Sequence, residues 1–217
     1  SGPDRARALS GLKLIELDSA GSADTNWKVL SGAHGHQLRP STETPEIYSP
    51  RGVFFQRCPN LLAIGSAGAG YDMVNVDDCT KAGVLLFNQT GANAESVAQH
   101  VLAMMLTLTK QLIQSDRAMR SNHRNWTRWD YSGREMTGRT LGIVGLGNIG
   151  RCVARMTGAV FGMRVIAYDP YLADSDFADR GAEKCDSLET LFRDADFVSI
   201  NCPLTDETRG MINGNLF

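Results

Sequence analysis

The sequence has no long apolar run and almost no net charge. A membrane-spanning helix needs about 20 consecutive apolar residues, and no apolar run among the 217 residues approaches that length, so no membrane partner is predicted. The formal net charge of −2 at pH 7 gives no electrostatic reason to expect binding to nucleic acid. With 42% hydrophobic and 21% charged residues, the composition is that of a folded globular protein.

Cysteine pairs and metal-ligand clusters are also missing from the sequence. The five widely spaced cysteines, none in a C-x-x-C pair, are Cys58, Cys79, Cys152, Cys185 and Cys202. An odd number without a disulfide framework is typical of reduced thiols, which predicts a cytoplasmic protein. His34 and His36 have no carboxylate or thiolate at a recognisable ligand spacing. We therefore predict no metal site and interpret these histidines as part of a surface loop.

The most informative feature present is the segment TLGIVGLGNIGR at residues 140–151. The apolar run Leu141–Val144 predicts a buried parallel strand, and residues 151–161 have helical character. Residues 163–168 predict a second strand, which ends at Asp169. This order, with glycines spaced as G-x-G-x-x-G between strand and helix, is typical of a dinucleotide-binding unit. A βαβ unit with an empty turn is the alternative.

Each glycine of this segment has a separate physical reason. Gly145 permits the tight turn after the strand, and Gly147 lets a pyrophosphate approach the backbone. Gly150 lets the helix pack closely on the strand.

Three further residues near the glycines belong to the predicted cofactor site. Asn148 and Ile149 stand at the helix start, where main-chain N–H groups and the positive end of the helix dipole favour a phosphate. Asp169 follows the glycines by about 20 residues, the position from which a carboxylate accepts hydrogen bonds from the adenosine ribose.

Five other motifs flank or follow the glycine-rich segment in a definite order. They are SAGAGYD at residues 66–72, AGVLLFN at 82–88, GANAESVAQH at 91–100, GRTL at 138–141 and NCPLTDET at 201–208. Together with the glycine-rich segment they resemble the D-isomer-specific 2-hydroxyacid dehydrogenase family, from about residue 53 to the end. No single motif among them is specific to that family, whereas the combination is.

The resemblance implies an NAD-dependent enzyme that interconverts a small D-2-hydroxy acid and its 2-oxo acid. The substrates expected are of the phosphoglycerate, glyoxylate or hydroxypyruvate type. By resemblance, the protein is also expected to be a homodimer, with a long interdomain helix contributing to the interface. A non-catalytic NAD-binding sensor of the same fold, similar to transcriptional corepressors, is the alternative.

The resemblance also assigns roles to individual residues. The loop of Gly68, Ala69 and Gly70 is expected to hold the substrate carboxylate on its main chain. Successive small residues after a strand can form an anion-binding nest of N–H groups, and we expect glycine there to adopt an unusual backbone conformation. A plain tight turn is the alternative. Cys202 and Pro203 are expected to pack on the cofactor beside the adenine and its ribose.

The catalytic groups of the family fall outside this sequence. By resemblance, an arginine, a glutamate and a histidine are expected beyond Phe217, so no catalytic residue is predicted within the chain. The chain is therefore expected to be C-terminally incomplete and inactive alone. In the family, an imidazole paired with a carboxylate exchanges a proton with the substrate, and the arginine orients the 2-oxo acid.

The predicted fold class is α/β, with two Rossmann-like or flavodoxin-like parallel-sheet domains, the second only half present. We assign residues 1–92 to the N-terminal part of the substrate domain. Residues 93–217 are assigned to the interdomain helix and the first half of the NAD-binding domain. Strands alternating with helical segments favour this architecture.

The pattern in the first predicted domain indicates strands at residues 12–17, 61–64 and 84–87. A short helix is predicted around residues 77–81. Residues 39–50, rich in Pro, Ser, Thr and Glu, show no good strand.

The second domain is predicted to open with one long helix, whose apolar stripe faces a core. The stripe consists of Val97, Val101, Met105, Leu108 and Leu112. Residues 187–192 predict a further helix, and residues 197–201 predict the third strand of a β-α-β-α-β half-fold. The strand at Leu141 is then expected to have an unpaired edge and uncovered apolar faces.

Overall fold

A computed structural model describes residues 8, 10–18, 21–38, 45–121, 126–127 and 129–217. The chain forms two compact units, Ser1–Thr90 and Gly91–Phe217. Each unit contains one sheet of parallel strands. The predicted α/β class is therefore confirmed.

The first unit is built on a three-stranded sheet in the order β1-β2-β3. The strands are Gly35–Leu38 (β1), Ala63–Ser66 (β2) and Leu85–Phe87 (β3). The helices described are Ala23–Ser31 (α1), Val53–Arg57 (α2) and Val76–Ala82 (α3), with a 3₁₀ turn at Glu46–Tyr48. Asn75 caps α3 by accepting the N–H of Asp78 at 2.9 Å, and left-handed Gly83 ends it.

The core of this unit lies between the sheet and its helices. The buried apolar side chains include those of Leu30, Leu38, Phe54, Ile64, Cys79 and Val84. Asn26 is a buried amide that donates to the main-chain oxygen of Asp18 at 2.7 Å and to the Tyr48 hydroxyl at 3.1 Å. The amide thus joins α1 to the segment before it and to the 3₁₀ turn without an unsatisfied donor.

Two predictions for this unit are wrong. Residues 12–17 form no strand, and their apolar side chains are largely exposed, with Leu12 at 52% and Ile15 at 49%. The first described strand is β1 instead, and it contains His36, which we expected in a surface loop. Residues 35–38 (GHQL) have no residue pattern that favours a strand. They form one because they pair with β2.

The other predictions for this unit agree closely with the structure. The strands predicted at residues 61–64 and 84–87 and the helix at 77–81 are present within two residues of the expected bounds. Of the segment 39–50, residues 39–44 lie outside the described residues, and the remainder forms a 3₁₀ turn rather than a strand.

The second unit contains four parallel strands in the order β6-β5-β4-β7. These are Thr140–Val144 (β4), Arg164–Tyr168 (β5), Glu183–Lys184 (β6) and Phe197–Ile200 (β7). The described helices are Ala94–Thr109 (α4), Leu112–Arg120 (α5), Asn148–Phe161 (α6), Asp174–Asp179 (α7) and Leu188–Asp194 (α8), with a 3₁₀ turn at Gly214–Leu216. Helix α7 and strand β6 were not predicted.

Strand β4 is the centre of this sheet, so the prediction that it has an unpaired edge is wrong. It pairs with β5 on one side and with β7 on the other, and residues 141–144 are buried. The third strand of the first half is β6, whereas β7 begins the opposite half. The order therefore reverses between β4 and β7, which is the switch point of a dinucleotide-binding sheet.

The long helical pattern is interrupted, and its predicted stripe is only partly buried. Gln111 has a left-handed backbone, with φ of 50°, and separates α4 from α5. Met105 is buried, but Leu108 is 72% exposed and Leu112 is 50% exposed. The buried positions of α4 are Ala94, Ala98, Met105 and Thr109. The small residues among them allow close packing against α6.

His36 in β1 generates a prediction about pH and stability. Its Nε2 atom is buried without a hydrogen-bond partner in the described residues, and its ring stacks on Phe54 with centroids 5.8 Å apart. Burial lowers the pKa of His36 from 6.5 to about 4. The unfolded chain therefore binds more protons than the folded chain between these two pH values.

We expect the free energy of unfolding to fall as the pH is lowered from about 6.5 to about 4, by up to about 3 kcal/mol. Denaturant titrations across this range measure the effect, and His36→Gln should abolish most of it. His34→Gln, at an exposed position, is the matched control. A pH dependence that survives in His36→Gln would contradict the assignment.

Candidate functional site

The glycine-rich turn lies where β4, α6 and the end of β7 converge. Gly145 follows β4 with φ of +87°, and its N–H donates to the main-chain oxygen of Tyr168 at 2.9 Å. A Cβ at Gly145 would lie 2.8 Å from the main-chain nitrogen of Cys202. Glycine is therefore required here both for the left-handed turn and for the close approach of the segment after β7.

Gly147 and Gly150 differ in what surrounds them. A Cβ at Gly150 would lie 2.3 Å from the main-chain oxygen of Gly145 and 3.1 Å from Cγ2 of Ile143, so the helix start is pressed against β4. A Cβ at Gly147 would meet nothing within 4 Å. The space in front of Gly147 is open, as the approach of a pyrophosphate requires.

The start of α6 offers main-chain donors at this open space. The N–H groups of Asn148 and Ile149 have no acceptor within the part of the chain that the structure describes, as is usual in a first helical turn. The Asn148 side chain accepts from Arg151 Nη2 at 2.8 Å. Ile149 packs on the core of the unit. A 14-residue helix beginning here presents the positive end of its dipole to the same space.

Asp169 holds the glycine-rich turn from the end of β5. Its Oδ2 accepts the N–H of Leu146 at 2.9 Å, and its Oδ1 accepts the N–H of Tyr171 at 3.1 Å. A carboxylate has about four acceptor positions, so both oxygens retain capacity for ribose hydroxyls. Half-buried Asp169 is thus brought beside the turn, as the sequence spacing predicted.

Arg180 and Glu207 are two site neighbours that the sequence did not reveal. Arg180 Nη1 donates to the main-chain oxygen of Leu146 at 2.8 Å, so this residue is held at both its N–H and its carbonyl. The Tyr171 hydroxyl donates to Glu207 Oε2, and this hydrogen bond raises the pKa of Tyr171. Neither pairing follows a short sequence spacing, so no local signal could have found it.

Cys202 and Pro203 follow β7 and lie next to the glycine-rich turn through the contact with Gly145. Burial raises the pKa of the Cys202 thiol, which therefore stays protonated near neutral pH. The Pro203 carbonyl accepts the Thr208 hydroxyl at 2.7 Å, which orders the loop that continues from the strand. Nothing in this geometry makes Cys202 a nucleophile.

The loop of Gly68, Ala69 and Gly70 lies in the first unit, after β2. Each carbonyl of this loop accepts a hydrogen bond: Gly68 from the Gln89 N–H at 3.0 Å, Ala69 from Asn88 Nδ2 at 2.8 Å and Gly70 from the Ser66 hydroxyl at 2.5 Å. The N–H groups of Ala69 and Gly70 have no acceptor among the described residues. Two adjacent free N–H groups can receive the two oxygens of a carboxylate.

The predicted conformation of this loop is wrong. Neither Gly68 nor Gly70 has a positive φ, so the alternation of conformations that forms a nest is absent from this described loop. A Cβ at Gly70 would meet only Asp72 Oδ1, at 3.5 Å. The loop therefore has no strained glycine, and its shape is accompanied by hydrogen bonds to all three of its carbonyls.

The described residues contain no group of three or more His, Cys, Asp or Glu side chains that could hold a metal ion. No helix within the described ranges is long and apolar enough to cross a membrane.

The difference between Gly147 and Gly150 predicts opposite effects of one methyl group. In the full-length protein, Gly147→Ala should leave the free energy of unfolding nearly unchanged but raise the Kd for NAD about tenfold or more, because the methyl group enters the open space. Gly150→Ala should cost about 1–3 kcal/mol of stability through its clash with the turn. Denaturant unfolding and NAD titration measure both effects. Unchanged NAD binding in Gly147→Ala would remove the turn from the cofactor site.

Comparison with known proteins gives this geometry a family. A family model described as "D-isomer specific 2-hydroxyacid dehydrogenase, NAD binding domain" matches residues 102–217, more than half of the chain. The predicted cofactor, NAD, is thereby confirmed. The D-3-phosphoglycerate dehydrogenase of Mycobacterium leprae is 43% identical over 155 residues, which are 71% of this chain and 29% of that protein. The hydroxypyruvate reductase of Thermotoga maritima is 38% identical over 154 residues, 71% of this chain and 48% of the reductase.

Among solved structures, the D-lactate dehydrogenase of Aquifex aeolicus, complexed with NAD and lactic acid, has a TM-score of 0.75 at 30% identity. The match covers 88% of this chain and 54% of that one. The chain thus spans between 29% and 54% of the length of these three proteins. All three are named as dehydrogenases or reductases, which gives no support to a non-catalytic sensor. The chain belongs to the D-isomer-specific 2-hydroxyacid dehydrogenase family.

Proposed function

We propose that the protein is an NAD-dependent oxidoreductase that interconverts a small D-2-hydroxy acid and its 2-oxo acid. The observation that carries this proposal is the glycine-rich turn at the β4–β7 switch point, in a unit that matches the family's NAD-binding domain. Substrates of the phosphoglycerate, glyoxylate or hydroxypyruvate type are proposed. The relatives include a D-3-phosphoglycerate dehydrogenase and a hydroxypyruvate reductase, which supports two of these three types.

The cofactor site proposed consists of residues around the turn. Open space at Gly147 and the free N–H groups of Asn148 and Ile149 support a pyrophosphate contact. The remaining acceptor capacity of Asp169 supports a contact with the adenosine ribose. Gly145 and Gly150 act by shaping this turn, and Cys202 and Pro203 are proposed to pack beside the adenosine. The bound cofactor would supply hydride transfer at the nicotinamide C4.

The substrate site proposed is the loop of Gly68, Ala69 and Gly70. Its free N–H groups at Ala69 and Gly70 support a contact with the substrate carboxylate. In this proposal residues 1–92 are the N-terminal part of the substrate domain. Residues 93–217 are the interdomain helix and the first part of the NAD-binding domain.

Proton transfer and orientation of the 2-oxo group require further residues. By membership of the family, a histidine paired with a glutamate and an arginine are proposed to supply them, from positions beyond Phe217. A homodimer is proposed because α4 and α5 carry exposed apolar side chains. These are Met104, Leu108, Leu112, Ile113 and Met119. The five free cysteines support a reducing, cytoplasmic location.

The function is tested with the full-length protein by following NADH absorbance. We expect the protein to oxidise NADH with glyoxylate, hydroxypyruvate or 3-phosphohydroxypyruvate, or to reduce NAD with 3-phosphoglycerate. The enantiomeric L-2-hydroxy acids are the control, since a D-specific site should leave them unreacted. Absence of turnover with every 2-oxo acid, in protein that binds NAD, would contradict the proposal.

Cofactor choice generates a prediction at Asp169. A 2′-phosphate beside this carboxylate meets like charge, and Pro170 and Tyr171 follow it rather than an arginine. We expect NAD to bind roughly ten- to a hundredfold more tightly than NADP, a difference of about 1–3 kcal/mol. Asp169→Asn, which removes the charge and keeps one acceptor oxygen, should reduce this preference. Asp169→Ala should reduce it too, and should also loosen the turn by releasing the Leu146 N–H.

Titrating NAD and NADP into the wild type and into the two Asp169 variants measures the Kd values from which this preference is calculated. Asp116→Asn, on α5, removes one exposed carboxylate and serves as the control. Tighter binding of NADP than of NAD by the wild type would overturn the role of Asp169.

The 217 residues alone are predicted to show no dehydrogenase turnover. Loss of a positioned acid or base costs about 10²–10⁴-fold in rate. Of the nicotinamide half of the sheet, the described residues contain β7 alone, so the reacting carbon is not fully positioned either. The test compares NADH absorbance over time for the 217-residue chain and for the full-length protein. Circular dichroism checks that the shorter chain is folded. Turnover by the shorter chain would place the catalytic groups within these residues.

A further inference from the structure

We propose that Asn88 is a positioning residue for the substrate carboxylate. It acts through the peptide between Ala69 and Gly70, which it holds so that the Gly70 N–H stays available to an anion. This inference rests on the proposed function of the loop of Gly68, Ala69 and Gly70. It adds a residue outside that loop, at the end of β3, to which the sequence motifs gave no role.

The peptide between Ala69 and Gly70 is held by a side chain from outside the loop. Asn88 Nδ2 donates to the Ala69 carbonyl at 2.8 Å. The carbonyl of Ala69 and the N–H of Gly70 belong to the same planar trans peptide and point in opposite directions. A hydrogen bond that holds the carbonyl toward Asn88 therefore directs the Gly70 N–H away from Asn88. That N–H has no acceptor among the described residues.

The Asn88 amide is itself held in one orientation. Its Oδ1 accepts the Thr90 hydroxyl at 2.7 Å and the Thr90 N–H at 3.3 Å. Both partners are donors, so the oxygen of the amide must face Thr90 and its nitrogen must face Ala69. Half-buried Asn88 thus links Thr90, the last residue of the first unit, to the loop after β2.

The neighbouring peptide, between Gly68 and Ala69, is held in a similar way. The Gln89 N–H holds the Gly68 carbonyl at 3.0 Å, which directs the Ala69 N–H by the same peptide geometry. Two consecutive residues after β3 therefore hold two consecutive carbonyls of the loop. The main chain of Gln89 holds the Gly68 carbonyl, and the side chain of Asn88 holds the Ala69 carbonyl. Because the loop has no positive φ at glycine to enforce its shape, these hydrogen bonds determine which way its donors face.

Removing the side-chain bond should free one peptide to rotate while leaving the other in place. The substrate carboxylate then loses one of its two N–H donors, that of Gly70, or its binding must order the peptide between Ala69 and Gly70. A neutral hydrogen bond of this kind changes an equilibrium by roughly five- to tenfold. The effect should fall on substrate binding in ground state and transition state alike, so it appears in KM rather than in kcat.

The test uses the full-length enzyme with its best 2-oxo acid and NADH. Asn88→Ala should raise the KM for the 2-oxo acid about five- to tenfold, change kcat by less than about twofold and leave the Kd for NADH unchanged. Thr90→Val removes the hydroxyl that orients the amide at nearly constant volume. It should raise KM in the same direction by a smaller factor, and it remains informative if Asn88→Ala fails to fold.

The matched control is Asn60→Ala. Asn60 also donates its amide to one carbonyl, that of Ser31 at 3.3 Å, but it precedes β2 at the opposite end of the strand from the loop. The KM of Asn60→Ala for the 2-oxo acid should equal that of the wild type. An unchanged KM in folded Asn88→Ala or Thr90→Val, or an equal rise in Asn60→Ala, would overturn the proposal. Wild-type turnover is measured in the same series, so failure of the proposed function would be seen separately as a lack of activity.

Discussion

The close approach of three main-chain segments at Gly145 is the constraint on which the second unit depends. The end of β4, the start of α6 and the segment after β7 come so near that side chains at Gly145 and Gly150 would overlap main-chain atoms. This contact brings the helix dipole and its free N–H groups to the point where the strand order reverses. A site for a dinucleotide follows from that packing, because main-chain donors and open space coincide at Gly147.

The two candidate sites free their main-chain donors by different physical means. At the start of α6, the N–H groups of Asn148 and Ile149 are free because no earlier helical turn supplies acceptors. In the loop after β2, the Ala69 and Gly70 N–H groups are free because their peptides' carbonyls are held elsewhere. The first arrangement follows from helix geometry alone. The second depends on partners at the end of another strand.

Much of the fold could be predicted where the signal was local. The run Leu141–Val144, the glycine spacing and the strand ending at Asp169 predicted β4, α6 and β5 because each is encoded in adjacent residues. Short or polar strands were missed: β1 and β6 form through pairing with neighbours rather than through their own residue patterns. The order of the sheet was also misjudged, since nothing local distinguishes β7 as the strand across the switch point.

The sequence by itself determined the α/β class and the dinucleotide-binding unit, because glycine spacing and apolar runs act through the nearest turns of chain. The order of its motifs indicated the family, and with it NAD as the cofactor, by resemblance. Only the tertiary structure decided which groups surround those residues. Arg180 and Asp169 hold opposite ends of Leu146, and Asn88 holds Ala69, across separations of 34, 23 and 19 residues. Asp169 and Asn88 make these contacts because paired strands bring their ends to one edge of a sheet, and Arg180 makes its contact from the end of α7. The sequence spacing predicted the place of Asp169, but it gave no sign of the partners that hold the carbonyls of Leu146 and Ala69, because those depend on the pairing of distant strands.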